Sequence, residues 1–170
     1  MAGAESTAGR RAALTRLGCL PFAALAPASR SRGSAGAAEL PRIDDLRRLT
    51  AQMRRERIPL LLFFSTAGCP FCIEVRRNYL APRLQEDAGR LLIREVEIVS
   101  RRSFTGLDGA APPEAELAGR VGIRMVPVVQ LVDASLAPIG KPLVGIDASG
   151  FYDGYLSAAI EEAQRTMRAR

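Results

Sequence analysis

Leu60-Leu61-Leu62-Phe63-Phe64-Ser65-Thr66-Ala67-Gly68-Cys69-Pro70-Phe71-Cys72 is the stretch on which the fold turns. Its first five residues form an unbroken apolar run, fenced by Pro59 on one side and by Ser65-Thr66-Ala67-Gly68 on the other. A run of that length without alternation predicts a strand buried on both faces, as in a parallel sheet. Pro70 then opens a helix, a place where its missing N–H leaves no partner wanting. Cys69 is thereby expected at the helix N-cap, facing free backbone N–H groups and the positive end of the helix dipole. A thiolate is stabilised there, and a thiolate is the nucleophile of disulfide exchange. Cys72 falls within the first turn, in disulfide reach of Cys69 and more shielded.

Outward from this core the chain alternates. Ile43, Leu46, Leu49 and Met53 recur at helical spacing, so 43–57 reads as an amphipathic helix. A second helix is expected over 70–87, kinked at Pro82. Strands are predicted at 91–99, at 128–132 and at 139–146, the last holding Pro142 and so near a sheet edge. A loop covers 100–112 and a short helix 114–120. A final helix carries Tyr152, Leu156, Ile160, Ala163 and Met167, with Ser149 as its N-cap. The order α-β-α-β-α-β-β-α predicts a layered α/β sandwich.

Composition narrows the chemistry. The chain has 170 residues, a formal charge of +6 and no histidine. A cysteine protease lacks its imidazole base, and a c-type haem site lacks the histidine that Ile73 replaces. Three cysteines cannot close a four-ligand zinc site. Disulfide exchange, a soft metal and a structural bridge stay open for Cys69 and Cys72. A bridge over two residues constrains little chain, and no third ligand lies nearby, so exchange is favoured. Five of the arginines lie within residues 1–37 against Glu5 alone, and the rest of the chain carries a near-balance of interspersed charges. No nucleic-acid partner is expected.

Residues 1–37 read as a cleaved export signal. Arg10-Arg11 precedes a 13-residue uncharged stretch, Leu17 to Ser29, too short to span a bilayer, and Ala35-Gly36-Ala37 offers a small-residue cleavage pattern. The paired arginines resemble a twin-arginine signal. A mitochondrial transit peptide and, from Leu17-Gly18-Cys19, a lipoprotein signal are the alternatives. Cleavage after Ala37 would remove Cys19. Residues 38–42 are expected as a short linker and 43–170 as the domain.

Phe63 to Cys72 resembles the active-site region of thioredoxin-fold proteins, and Cys-Pro-Phe-Cys is similar to the motif of glutaredoxins and of some periplasmic thioredoxin-like proteins. Gly122-Ile123-Arg124-Met125-Val126-Pro127-Val128-Val129 resembles the family's cis-proline segment, and Gly145 its glycine after the last strand. The resemblance implies a three-layer α/β/α sandwich around a mixed sheet of about four strands. It implies a thiol–disulfide oxidoreductase with Cys69 as nucleophile and Cys72 as resolving thiol. Pro70 and Phe71 would tune the potential, and Val126 and Pro127, joined by a cis bond, would hold substrate. No metal or other cofactor beyond the redox disulfide is expected. The implied partners are protein disulfides and an upstream thiol donor, which could be membrane-bound, acting on a monomer in the bacterial periplasm. A reductase role is the first expectation; an oxidant or isomerase, or a non-catalytic peptide-binding module, is the alternative. Thioredoxins bury an acid where this chain has Phe63, so Glu95 or Glu97 would have to substitute, although both read more simply as a solvated strand face.

Overall fold

The computed structural model describes residues 39–147 and 149–169. The expected export signal over 1–37, its cleavage point and Cys19 lie outside the described residues. The elements are α1 (Leu46–Glu56), β1 (Leu60–Ser65), α2 over 70–86, β2 (Leu92–Glu97), α3 (Glu114–Arg120), β3 (Val128–Val132), β4 (Pro138–Val144) and α4 (Tyr152–Arg168).

The four strands form one sheet in the order β2-β1-β3-β4. β1 runs parallel to β2 and antiparallel to β3, which pairs antiparallel with β4. Every residue of β1 is buried, which is why its sequence shows no alternation. Phe63 and its register partner Glu95 face α2, whose Arg76 touches both. Tyr79 of α2 packs on Tyr152 of α4 with ring centroids 4.8 Å apart, so those two helices share that face. Leu62 and Phe64 look the other way, toward Leu46 of α1 and Leu117 of α3. The result is a three-layer α/β/α sandwich on a mixed four-stranded sheet, as expected from the sequence. Burial of side chains such as Phe63 and Phe64 contributes about 1.5–3 kcal/mol each.

Several boundaries differ for identifiable reasons. Helix α1 starts three residues late because Asp45 caps it, its carboxylate accepting from the N–H groups of Arg47 (2.8 Å) and Arg48 (3.1 Å). Pro82, expected to kink α2, closely follows an irregular stretch of it. Helix α2 runs as α-helical Pro70–Glu74, a π-helical stretch Val75–Leu80 and α-helical Ala81–Glu86. The wide turn closes with Ala81 N–H donating to Arg76 O, and Pro82 sits in the first turn of the restarted helix, where no N–H is needed. Ser149 is not the cap of α4. Asp147 serves that turn instead, its carboxylate accepting from Ser149 N (3.0 Å) and Phe151 N (2.8 Å). Strand β4 is an edge strand that accommodates Pro142, with a register shift opposite Val129–Leu131 and Gly140 at φ 68°.

The 38–42 stretch, read as a linker, joins the domain from Leu40 onward. Leu40 is buried, and Pro41 O accepts from Glu95 N at 2.9 Å, extending the sheet beside β2. Arg42 then reaches Glu114, a fully buried carboxylate at the start of α3, through Nε at 3.1 Å and through Nη2. Arg102 donates to the same carboxylate at 3.1 Å, and Glu97 N–H at 3.2 Å.

Candidate active site

β1 delivers the chain into a tight turn whose last residue, Gly68, has φ 73°. Side-chain-bearing residues are strained in that region, so glycine suits the entry to Cys69. Cys69 is extended (φ −79°, ψ 111°) at the N-cap of α2, with Pro70 next. Its carbonyl accepts from Ile73 N at 3.0 Å, and its sulfur accepts from Cys72 N at 3.2 Å. Cys69 and Cys72 are joined in a disulfide, their Cα atoms 5.2 Å apart. The two sulfurs are not equivalent. Cys69 is half-buried, while Cys72 is wholly enclosed among Phe63, Val75 and the rest of the core. A thiol arriving from solvent meets Cys69. On reduction, the charge of a Cys69 thiolate falls at the N-terminus of α2, where the Cys72 N–H already points at its sulfur. Pro70 and Phe71 both stand in solvent at the rim, Phe71 with 57% of its surface exposed.

The second segment arrives by strand pairing. Phe64 lies opposite Val128 in the antiparallel β1–β3 ladder, so the start of β3 and the end of β1 meet at one end of the sheet. Val126 and Pro127 are therefore at the same end as Cys69. The Val126–Pro127 bond is cis, and Gly145 N–H donates to Pro127 O at 2.8 Å, tying the segment to the end of β4. Pro127 is buried, Val126 is partly exposed and Met125 is 63% exposed. Among the described residues the main chain of Val126 makes no hydrogen bond.

No protein-family model matches the chain, and no curated protein matches it in sequence. Solved structures do. An oxidoreductase described as DsbH superposes with a TM-score of 0.50 at 18% identity, over 74% of this chain and 88% of that one. Thioredoxin from Trypanosoma brucei brucei gives a TM-score of 0.50 at 13% identity, over 79% of this chain and 98% of that one. This is a thioredoxin fold.

Within the thioredoxin fold, the layer beneath the disulfide departs from what the sequence suggested for the two glutamates. Glu95 is not on a solvated face; it is 4% exposed, between β2 and α2. Arg76 grips it with both arms of the guanidinium, Nε to Oε2 at 3.0 Å and Nη2 to Oε1, and Ser65 donates its hydroxyl to Oε1. The guanidinium also lies over the Phe63 ring, 5.9 Å from its centroid. Glu97 is partly exposed and accepts from Ala67 N–H at 3.3 Å, steadying the turn that precedes Cys69. Sequence reasoning missed Arg76 as a neighbour of the site. Its only signal was its place four residues after Cys72, on the same helix face.

A cavity of about 500 Å³ lies on the opposite face of the sheet, lined by Leu46, Leu62, Phe64, Leu117, Gln130 and Val132 among others. Its lining takes in Phe64 of β1 and Ile123 of the segment that leads to Pro127, but neither cysteine nor Pro127 itself.

Proposed function

We propose that this chain is a thiol–disulfide oxidoreductase that acts on protein disulfides through Cys69 and Cys72. The observation that carries the proposal is the asymmetry of the disulfide, with Cys69 reachable at a helix N-cap and Cys72 enclosed behind it. In the reduced protein the Cys69 thiolate attacks a substrate disulfide. The substrate S–S bond breaks, one substrate sulfur leaves with the electron pair and takes a proton, and a mixed disulfide forms at Cys69. The Cys72 thiolate then attacks Cys69 sulfur, and the second substrate sulfur leaves as a thiolate. The substrate gains two electrons and two protons; Cys69 and Cys72 lose them and become the disulfide. A thiol donor returns the electrons by the same exchange in reverse.

The unbonded main chain of Val126 beside the cis bond supports a role for Val126 and Pro127 in holding an extended substrate strand. Exposed Pro70 and Phe71 border the attacked sulfur, where they would tune its potential and its contacts. The arginine-bearing leader supports export to the periplasm, and an oxidising compartment supports reduction of mispaired or oxidised cysteines as the direction. On this reading the disulfide is the redox group, and no other cofactor or metal takes part.

Insulin-disulfide reduction with dithiothreitol as donor tests the activity. The parent accelerates turbidity and Cys69→Ser returns the rate to background; equal rates for the two would refute the enzyme reading. Cys72→Ser accumulates mixed disulfides at Cys69, and the proteins captured in the periplasm name the substrates. Equilibration with glutathione gives the potential and hence the direction.

A further inference from the structure

A buried ion pair between the sheet and the helix that carries both cysteines needs an explanation that packing alone does not give. Glu95 and Arg76 have side chains 5% and 17% exposed, and their interaction is bidentate. Pairs of this kind are seldom worth more than well-packed apolar residues, because both charges are stripped of water. The space they fill lies over Phe63, in the otherwise apolar layer that also encloses Cys72. Cys72 and Arg76 are four residues apart on α2, within about one turn of each other across the join between its α-helical and π-helical stretches, so both stand on the side of α2 that meets the sheet. The positive partner is therefore on the helix of the cysteines, and the negative partner is on the sheet, held from behind by Ser65.

We infer that Arg76 is a positioning and charge-setting residue for Cys72, and that Glu95 limits its effect. This rests on the exchange reading above. When an external thiolate attacks Cys69, the Cys69–Cys72 bond breaks and Cys72 departs with the electron pair. The new charge appears in a dry layer where water cannot solvate it. The Arg76 guanidinium, carried on the same helix, favours the thiolate, and the Glu95 carboxylate bound to that guanidinium opposes it. The carboxylate is already committed to two N–H donors of Arg76 and to the Ser65 hydroxyl, so it is not placed as a free base. The pair thus sets how stable the reduced form is, and its two halves act with opposite sign.

That opposition is the test. The full chain and the variants Arg76→Met, Glu95→Gln and the double variant are equilibrated with mixtures of reduced and oxidised glutathione. The reduced fraction is read by mass after acid quench and alkylation. Loss of Arg76 withdraws the cation, so its equilibrium constant should shift about tenfold toward the disulfide, equivalent to about 30 mV more negative. Glu95→Gln leaves Arg76 unopposed and should shift the constant the other way, toward the dithiol. The double variant should return toward the parent. A role confined to packing would lower the melting temperature of all three and move neither midpoint in opposed directions. Shifts of the same sign, or unmoved midpoints in folded variants, overturn the inference. If Arg76→Met does not fold, Arg76→Lys should hold the parent midpoint while Glu95→Gln still decides the sign. A parent that never exchanges with glutathione overturns the oxidoreductase reading itself, whereas a parent that exchanges with variants that do not shift overturns this inference alone.

Discussion

Glu114→Gln should destabilise this domain more than any surface substitution, and the structure sets the size of the effect. The Glu114 side chain has no exposed surface, and its two oxygens receive Arg42, Arg102 and the Glu97 N–H. An amide at that position keeps the shape and one carbonyl acceptor, so the Glu97 bond can persist. It withdraws the charge that holds two guanidinium groups, and it turns an NH₂ toward one of them. Removing one member of a buried ion pair costs about 3–5 kcal/mol, because the remaining charges stay desolvated and unpaired. Arg42 and Arg102 are partly exposed, at 27% and 39% of their side-chain surface, so each can recover water and the figure falls to about 2–3 kcal/mol. Urea unfolding followed by far-UV circular dichroism gives the difference directly. The melting temperature should fall by roughly 6–12 °C for a domain of this size. The loss should be largest at the N-terminal segment, since Arg42 is the anchor that holds 40–42 beside β2; amide exchange at Glu95, whose N–H bonds Pro41, should speed up with it. A loss below about 1 kcal/mol would show that the cluster behaves as a solvated surface pair and would refute the reasoning.

Gly68→Ala should cost about 1–2 kcal/mol, since φ 73° is a left-handed conformation and no neighbouring atom obstructs the new methyl; a melting curve unchanged from the parent would contradict this. Phe63→Ala should cost about 3–5 kcal/mol by urea unfolding, because the ring is fully buried between sheet and α2 and carries Arg76 over its face. Tyr152 should ionise well above its ordinary range, because burial, and secondarily Tyr79, disfavour the phenolate. The unfolded chain releases that proton first, so the stabilisation is complete below about pH 10 and is lost as pH rises above it. Tyr152→Phe should therefore flatten the fall in stability above pH 10, measured by urea unfolding at pH 8 and pH 11. It should change stability little at pH 8, where the buried hydroxyl has no partner to lose.

The features legible in the sequence were those written locally. An unbroken apolar run specifies β1, because a strand covered on both faces has no polar side to display. Cys69-Pro70 specifies a helix start, because proline tolerates few other places. What escaped was written at a distance. Glu95-Val96-Glu97 alternates charged and apolar residues and reads as a solvated face, yet Glu95 is buried by Arg76, 19 positions earlier on another element. Residues 38–42 are too few to show a helical or strand period and read as a linker, yet Arg42 finds its partner 72 positions away. Pro82 marks an irregularity in α2, but the π-helical stretch just ahead of it has no signal in the sequence. Ser149 lost its capping role to Asp147, which outcompetes it with a charged carboxylate placed two residues earlier.

Both margins of the sheet have been blunted, one by a borrowed stretch of chain and the other by composition. At β2 the main chain of Glu95 is engaged by Pro41, and at β4 Pro142 lacks a donor while Gly140 breaks the register. Rows of unsatisfied amides are what one strand offers another in uncontrolled stacking. A protein whose proposed clients are oxidised, half-folded chains would meet many strands in search of such a margin. Here each margin is interrupted part-way along, which disfavours a long pairing at the borders of the sheet.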